Sequence, residues 1–468
     1  MSELAPTRRG FLGMSGAALL GAAASSALSG CGDANASASS LWDGTTNPAV
    51  SAAIAGGAVV NGFCAPEFRP VFDAFVANFE SRNEIGASIG VTVRGVPVLE
   101  AWGGFADALN PAPAAPWARD TVSLVFSCTK GATALCAHML VAQGLLDLDK
   151  PVAHYWPEFA AHGKDKITVR MVLGHAAGLA AVPFSTPVKN EGWSDPDYMA
   201  ALLADMTPWW EPGTAYGYHA MTFGWLVGEI VKRVSGVSLG SYFATNVATP
   251  LGMDFWIGMP DSALPRIAPM RAATETLAND PFLEKLVTDP GGLQSAVFFN
   301  VGGWFGLPPS TPPAYNSTLS LKSEIPAAGG VTNGRGLATM YAALANGGAL
   351  GGTRLLPADY AAQVGAVRSA LPIDRTLQVS TRFGLGFHGS IDNQILGPGQ
   401  SSITGMTAFG HGGFGGSIGF ADPAARLSVG YTMNRMGPGA GMNERGQSIV
   451  DSVYKALGYS SSKYGFWV

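Results

Sequence analysis

The chain has 468 residues, 47% of them hydrophobic and 13% charged, against roughly 25% charged in an average soluble domain. It can therefore bury a large core. A net charge of −5 and the lack of a basic stripe with interleaved aromatics exclude nucleic acid as a partner and favour small neutral substrates. The 7 histidines are scattered, with no His-Glu-x-x-His, so neither a metal site nor a cofactor is implied.

The first residues read as an address rather than as part of the fold. Thr7-Arg8-Arg9-Gly10-Phe11-Leu12, an Ala/Gly-rich run and Leu28-Ser29-Gly30-Cys31 resemble a twin-arginine export signal ending in a lipobox. On that resemblance residues 1–31 are a signal peptide and Cys31 carries a lipid. The mature chain is then held on the outer face of a bacterial cytoplasmic membrane, on the periplasm or cell-wall side. Residues 32–61, rich in Ala, Ser, Gly and Asn, read as a flexible tether. Cys64, Cys128 and Cys136 remain, an odd number that suggests no disulfide framework.

From Pro66 to about Arg82, apolar residues at helical spacing predict an amphipathic helix. Two strand-like runs, Ile89–Val93 and Val96–Trp102, flank the turn Arg94-Gly95, and residues 103–120 are Pro/Ala-rich loop. Next comes Ser127-Cys128-Thr129-Lys130, opening an apolar run to Gly144 that predicts a buried amphipathic helix, with Ser127 as N-cap and Gly144 at the C-terminal cap. Lys130, three positions on, shares a helix face with Ser127. A serine hydroxyl needs a neighbouring base, and a desolvated lysine can be one. The start of a helix also offers unpaired N–H groups to a developing oxyanion. Ser-x-x-Lys alone is weak: it recurs at Ser452–Lys455 and Ser460–Lys463, and a capped core helix would read the same way.

From about 147 to 382 the pattern is helices joined by Pro/Gly loops, with clear helical runs at Thr168–Leu173, Asp197–Met206, Thr222–Val234 and Leu337–Asn346. Strand character returns at Arg382–His388, Ser417–Ala421 and Leu427–Met433, before a closing helix at about Glu444–Leu457. This predicts an α+β sheet subdomain (about 62–146 and 383–458) with an inserted helical subdomain (about 147–382) and a tail at 459–468. Pro212-Gly213-Thr214, leading to Tyr218, is a turn feeding a helix from which a tyrosine can act as general base beside a lysine. His411-Gly412-Gly413-Phe414 is glycine-rich backbone that can approach a ligand closely. The Gly-x-Ser-x-Gly matches at Ser238 and Ser417 lack the strand–turn–helix context of a nucleophile elbow. Gly384–Gly389 matches a dinucleotide fingerprint without its helix or acidic partner.

Together Ser-Cys-Thr-Lys, Leu173–Leu179, Pro-Gly-Thr with Tyr218, Pro250–Met253, Gly329–Val331 and His-Gly-Gly resemble, over about residues 66–458, the serine β-lactamase and penicillin-binding-protein superfamily, in its carboxylesterase (family VIII-type esterase/lipase) branch. The resemblance implies a β-lactamase/transpeptidase-like fold and acyl-enzyme hydrolysis of a small-molecule carboxylic ester. Ser127 is then the nucleophile, Lys130 its partner and Tyr218 the base, with the N–H groups of Ser127 and Phe414 as oxyanion hole. His411 takes the place of the lysine in the family's Lys-Thr-Gly, and with Gly412, Gly413 and His219 forms the candidate substrate-binding set. Ala220 replaces the asparagine of Tyr-x-Asn. His175 reads as structural, its motif being far from the others in the chain. Two alternatives stay open: a D-amino peptidase or β-lactamase acting on cell-wall-like amides, and an inactive lipoprotein that binds wall fragments.

Overall fold

The structure, a computed structural model, describes residues 42, 47–107, 115–274, 280–306, 312–396, 400–439 and 441–468. Arg8, Arg9 and Cys31 lie outside the described residues. Of the three sheets among the described residues, two organise the chain. The larger has ten strands in the order 49–53, 59–64, 96–104, 86–93, 427–433, 418–422, 409–412, 388–389, 381–383, 369–371, and every pairing in it is antiparallel. Its two halves come from opposite ends of the sequence and join where Gly86–Val93 pairs with Leu427–Met433. The hairpin turns at Arg94-Gly95, with φ of 55° and 77°, the two-residue turn whose twist suits antiparallel strands.

The helix Gly334–Ala345 lies on this sheet. It can sit close because Gly430 presents no side chain: a Cβ there would meet Gly334 O at 2.2 Å. The sequence-based boundary, which assigned 147–382 to the helical subdomain, therefore needs correction. Gly334–Ala345 covers the sheet, while the Ser127 helix packs on Thr222–Ser235 in the helical half. That helix, Thr129–Ala142, is buried on every face from Thr129 to Leu140 rather than amphipathic, because it runs between the two halves. Gly144 follows it with φ +72°, as expected of a C-terminal cap glycine.

Two further expectations are corrected. The tether does not extend to residue 61, since Ala49–Ala53 and Val59–Cys64 form the edge of the large sheet. Small side chains disguise these strands, although residues 59–64 alternate outward and inward at period two. The 459–468 tail is docked: Trp467 is buried, stacks on Tyr454 and donates its backbone N–H to Thr404 O at 2.9 Å.

The smaller sheet, in the order Phe255–Ile257, Gly330–Thr332, Val122–Leu124, Ile267–Ala268, delivers the chain to Ser127.

Candidate active site

Leaving Val122–Leu124, the chain is held by Val125 N–H donating to Gly330 O (2.9 Å). Thr129 Oγ1 donates to Phe126 O (2.5 Å) and accepts from Gly330 N (2.8 Å). Between them Phe126 sits at φ +45°, in the left-handed region that bulky residues avoid. Edge-to-face packing on Trp304, Tyr315 and Phe414 holds it there, so the strain is offset by aromatic burial. The bend places Ser127 in a 3-10 turn, Phe126–Cys128, ahead of the helix. Ser127 is thus not the N-cap the sequence suggests: no side chain caps this helix, and the Ser127 hydroxyl turns to Lys130.

Lys130 is fully buried. Its Nζ lies 2.6 Å from Ala220 O, 2.9 Å from Ala327 O and 3.1 Å from Ser127 Oγ. No carboxylate pairs with it among the described residues, and burial drives its pKa well below the ordinary lysine value. A neutral amine has two N–H groups and one lone pair. The two carbonyls take the N–H groups, and the lone pair is left for the Ser127 hydroxyl proton. Tyr218 lies on the other side, its ring centroid 4.8 Å from Lys130 Nζ. Burial raises its phenol pKa more than contact with Ser127 lowers it, so Tyr218 is protonated at rest.

Neither Ser127 N–H nor Phe414 N–H has an acceptor among the described residues, which leaves both free for an oxyanion. Gly413 brings the second into place: a Cβ there would meet Val125 O at 2.2 Å. Its own N–H goes to Ser417 O at 2.7 Å, and Gly412 and Phe414, rather than Gly413, line the cavity beside Ser127. That cavity, of about 480 Å³, is walled by Phe282, Phe298, Phe305 and Phe414, with Ala220 adding apolar surface.

Tyr218 ring-stacks on Phe383 (5.9 Å, 6° between planes). His175, distant in sequence, packs on Tyr218 at 5.1 Å, and its Nδ1 accepts from His219 N at 3.2 Å. It stands beneath the site and supports the tyrosine loop. His219 is corrected: its Nδ1 donates to Gly217 O (2.6 Å) and its Nε2 accepts from Leu179 N (3.1 Å). Both ring nitrogens are used in holding the loop.

His411 does reach the cavity, and so does His388, which the sequence reading passed over inside the false dinucleotide match. Their rings lie 3.9 Å apart. His411 Nδ1 faces Gly412 O at 2.7 Å, and the Nε2 atoms of both histidines are buried without a partner among the described residues. Burial lowers His388 to about 3 and His411 well below its usual value, so both are neutral. Arg382, on the cavity wall, donates to Ser390 O at 3.2 Å. Cys128 Sγ donates to His411 O at 3.1 Å, and burial raises its thiol pKa, so it packs rather than reacts. Cys64, Cys128 and Cys136 are free. Ser238 caps the next helix by accepting from Ser241 N, and Ser417 is fully buried, so neither decoy serine is a nucleophile.

A family model described as "Beta-lactamase" matches residues 69–453. A Mycobacterium tuberculosis protein named Esterase/beta-lactamase LipL is 35% identical over 387 residues, covering 81% of this chain and 83% of that one. A crystal structure of a family VIII carboxylesterase has 38% identity and a TM-score of 0.71 over 85% of this chain and 100% of that chain. A penicillin-binding protein homolog from Caulobacter crescentus has 34% identity and a TM-score of 0.74 over the same shares.

Proposed function

Since the chain belongs to the beta-lactamase family, we propose that it is a serine hydrolase of the carboxylesterase/lipase type, cleaving carboxylic esters through an acyl-enzyme on Ser127. The observation that carries this is the placement of Lys130 Nζ, with two carbonyls taking its N–H groups and Ser127 Oγ at its third position. Ser127 Oγ passes its proton to Nζ and bonds to the ester carbonyl carbon. The carbonyl oxygen takes the negative charge between the Ser127 and Phe414 N–H groups. Collapse breaks the bond to the alcohol oxygen, which takes a proton from the Tyr218 phenol, and the Lys130 ammonium restores that proton. Water then attacks the acyl-Ser127 by the same route reversed. The aromatic cavity walls suit an apolar acyl group, and the similarity to proteins named as esterase and carboxylesterase supports the ester over the amide. Labelling of the purified protein by a fluorophosphonate, located by peptide mass spectrometry, tests this: a tag on Ser127 supports the assignment and a tag elsewhere overturns it.

We infer also that the protein is exported and anchored by a lipid on Cys31. The support is the Arg8-Arg9 pair and the lipobox-like run ending at Cys31.

A further inference from the structure

The backbone that carries Tyr218 is gripped by a short turn from far along the chain. Asp374 Oδ1 accepts from Tyr218 N (3.0 Å), Thr376 N (2.8 Å) and Leu377 N (2.8 Å). Arg375 N donates to Tyr216 O at 3.1 Å, so the turn holds the tyrosine segment on both sides of Gly217. Gly217 allows that approach: a Cβ there would lie 2.9 Å from Thr376 Oγ1. From behind, Gln294 Nε2, on the cavity helix Leu293–Phe299, donates to Arg375 O (2.8 Å) and Thr376 O (3.1 Å).

Asp374 is fully buried, and no cation pairs with it among the described residues. Its second oxygen, Oδ2, has no partner among the described residues. An unpaired buried carboxylate is costly, and the three backbone N–H bonds to Oδ1 offset that cost. Burial lifts its pKa to about 6, while the three backbone N–H groups hold it down, which leaves it ionised at neutral pH and at its strongest as an acceptor.

We propose that Asp374 is the positioning residue for Tyr218, its carboxylate fixing the backbone from which the phenol reaches Ser127, with Gln294 bracing the turn. This rests on the serine-hydrolase reading above. Removing the acceptor leaves the Tyr218, Thr376 and Leu377 N–H groups unsatisfied and lets the tyrosine drift from the reacting atoms. A misplacement on the order of 1 Å can cost about a hundredfold in rate.

The test compares full-length wild type with Asp374→Ala, Asp374→Asn and Gln294→Ala on a p-nitrophenyl ester, with fluorophosphonate labelling run alongside. Asp374→Ala should lower kcat by about 10- to 100-fold while KM stays within about threefold. Asp374→Asn keeps an oxygen for the three donors and should recover kcat to within about threefold of wild type. Gln294→Ala should lower kcat by about three- to tenfold, and it decides the matter if Asp374→Ala fails to fold. Full kcat in Asp374→Ala, or in Gln294→Ala where that variant decides, overturns the positioning role. So does an Asp374→Asn as slow as the alanine variant, or a loss confined to KM. A wild type that the probe does not label at Ser127 overturns the serine reading and the positioning role together, whereas a labelled wild type with a fully active Asp374→Ala overturns the positioning role alone.

Discussion

His388 lies against His411 with ring centroids 3.9 Å apart, and both rings neighbour Tyr218, at 5.8 and 6.0 Å. Burial holds each imidazole neutral, and two rings this close could not both carry charge. The place where the family's Lys-Thr-Gly has a fixed cation is therefore uncharged here. A penicillin or cephalosporin brings a carboxylate that a lysine would meet, and a neutral imidazole does not replace that attraction. Ala220, in place of an asparagine, also removes an amide that could orient the β-lactam side chain.

The first prediction follows from that pair. At pH 7, kcat/KM for a short-chain p-nitrophenyl ester should exceed that for a chromogenic cephalosporin by at least about a hundredfold, roughly 2.7 kcal/mol. Because both histidines stay neutral well below their ordinary value, the ratio should be flat between pH 5 and 8. A ratio near one would mean that His411 and Ala220 do not set specificity, and one that falls steeply toward pH 5 would show a charge at His411 reaching the substrate; in either case the β-lactamase reading would be preferred.

The second prediction concerns proton transfer. Lys130→Arg keeps a cation but not a base, since a guanidinium does not deprotonate in proteins. Its kcat should fall about 10²- to 10⁴-fold. Ser127→Ala should abolish probe labelling and nearly all turnover, whereas Ser238→Ala and Ser417→Ala should retain most of it. A Lys130→Arg enzyme within tenfold of wild type would mean that the proton leaves Ser127 by another route.

Much of this arrangement is legible in the sequence because local spacing fixes it. Ser127 and Lys130 are three apart on one turn, Tyr218 follows a Pro-Gly turn, and the His-Gly-Gly run closes the strand Phe409–Gly412. The supporting parts are less visible because no period marks them. Asp374 is a single carboxylate in a loop, and its meaning depends on a fold that brings it to Tyr218 from 156 residues away. His175 reaches the same tyrosine from the other direction, so separation along the chain says nothing of its place. His388 sits in a glycine pattern that matches a nucleotide motif, and only its pairing with the strand of His411 reveals its side. The positive φ of Phe126 is likewise unreadable, since an aromatic residue gives no local hint of left-handed backbone.

The third prediction tests the anchor. With Cys31 lipidated, the wild type expressed in a bacterial host should partition with membranes and require detergent for extraction, and Cys31→Ala should be exported and freely soluble. Wild-type protein recovered soluble from the cytosol would sink both the export signal and the anchor.

The fourth concerns the ion pair that ties the two ends of the chain together. Glu84, just after the first helix, has a fully buried side chain and accepts from Arg445 Nη1 at 2.8 Å and from the Tyr431 hydroxyl. Arg445, in the closing helix Glu444–Ala456, also donates to Arg435 O at 2.7 Å. Burial raises the Glu84 pKa above its ordinary value of 4.5 even though Arg445 pulls it down. A raised acid pKa contributes stability that is fully present below the unfolded value and is lost as pH rises through the folded one. Replacing Arg445 with methionine removes the attraction, lifts that folded value further and extends the loss to higher pH. Arg445→Met should therefore cost about 3–5 kcal/mol at pH 8, where an uncompensated carboxylate is left buried. At pH 4.5, nearer the raised pKa, more of Glu84 is protonated and the cost should be smaller than at pH 8. Urea unfolding of the two proteins at each pH measures the difference. An equal penalty at pH 4.5 and pH 8 would mean that Arg445 acts through packing and its bond to Arg435 rather than through the charge on Glu84.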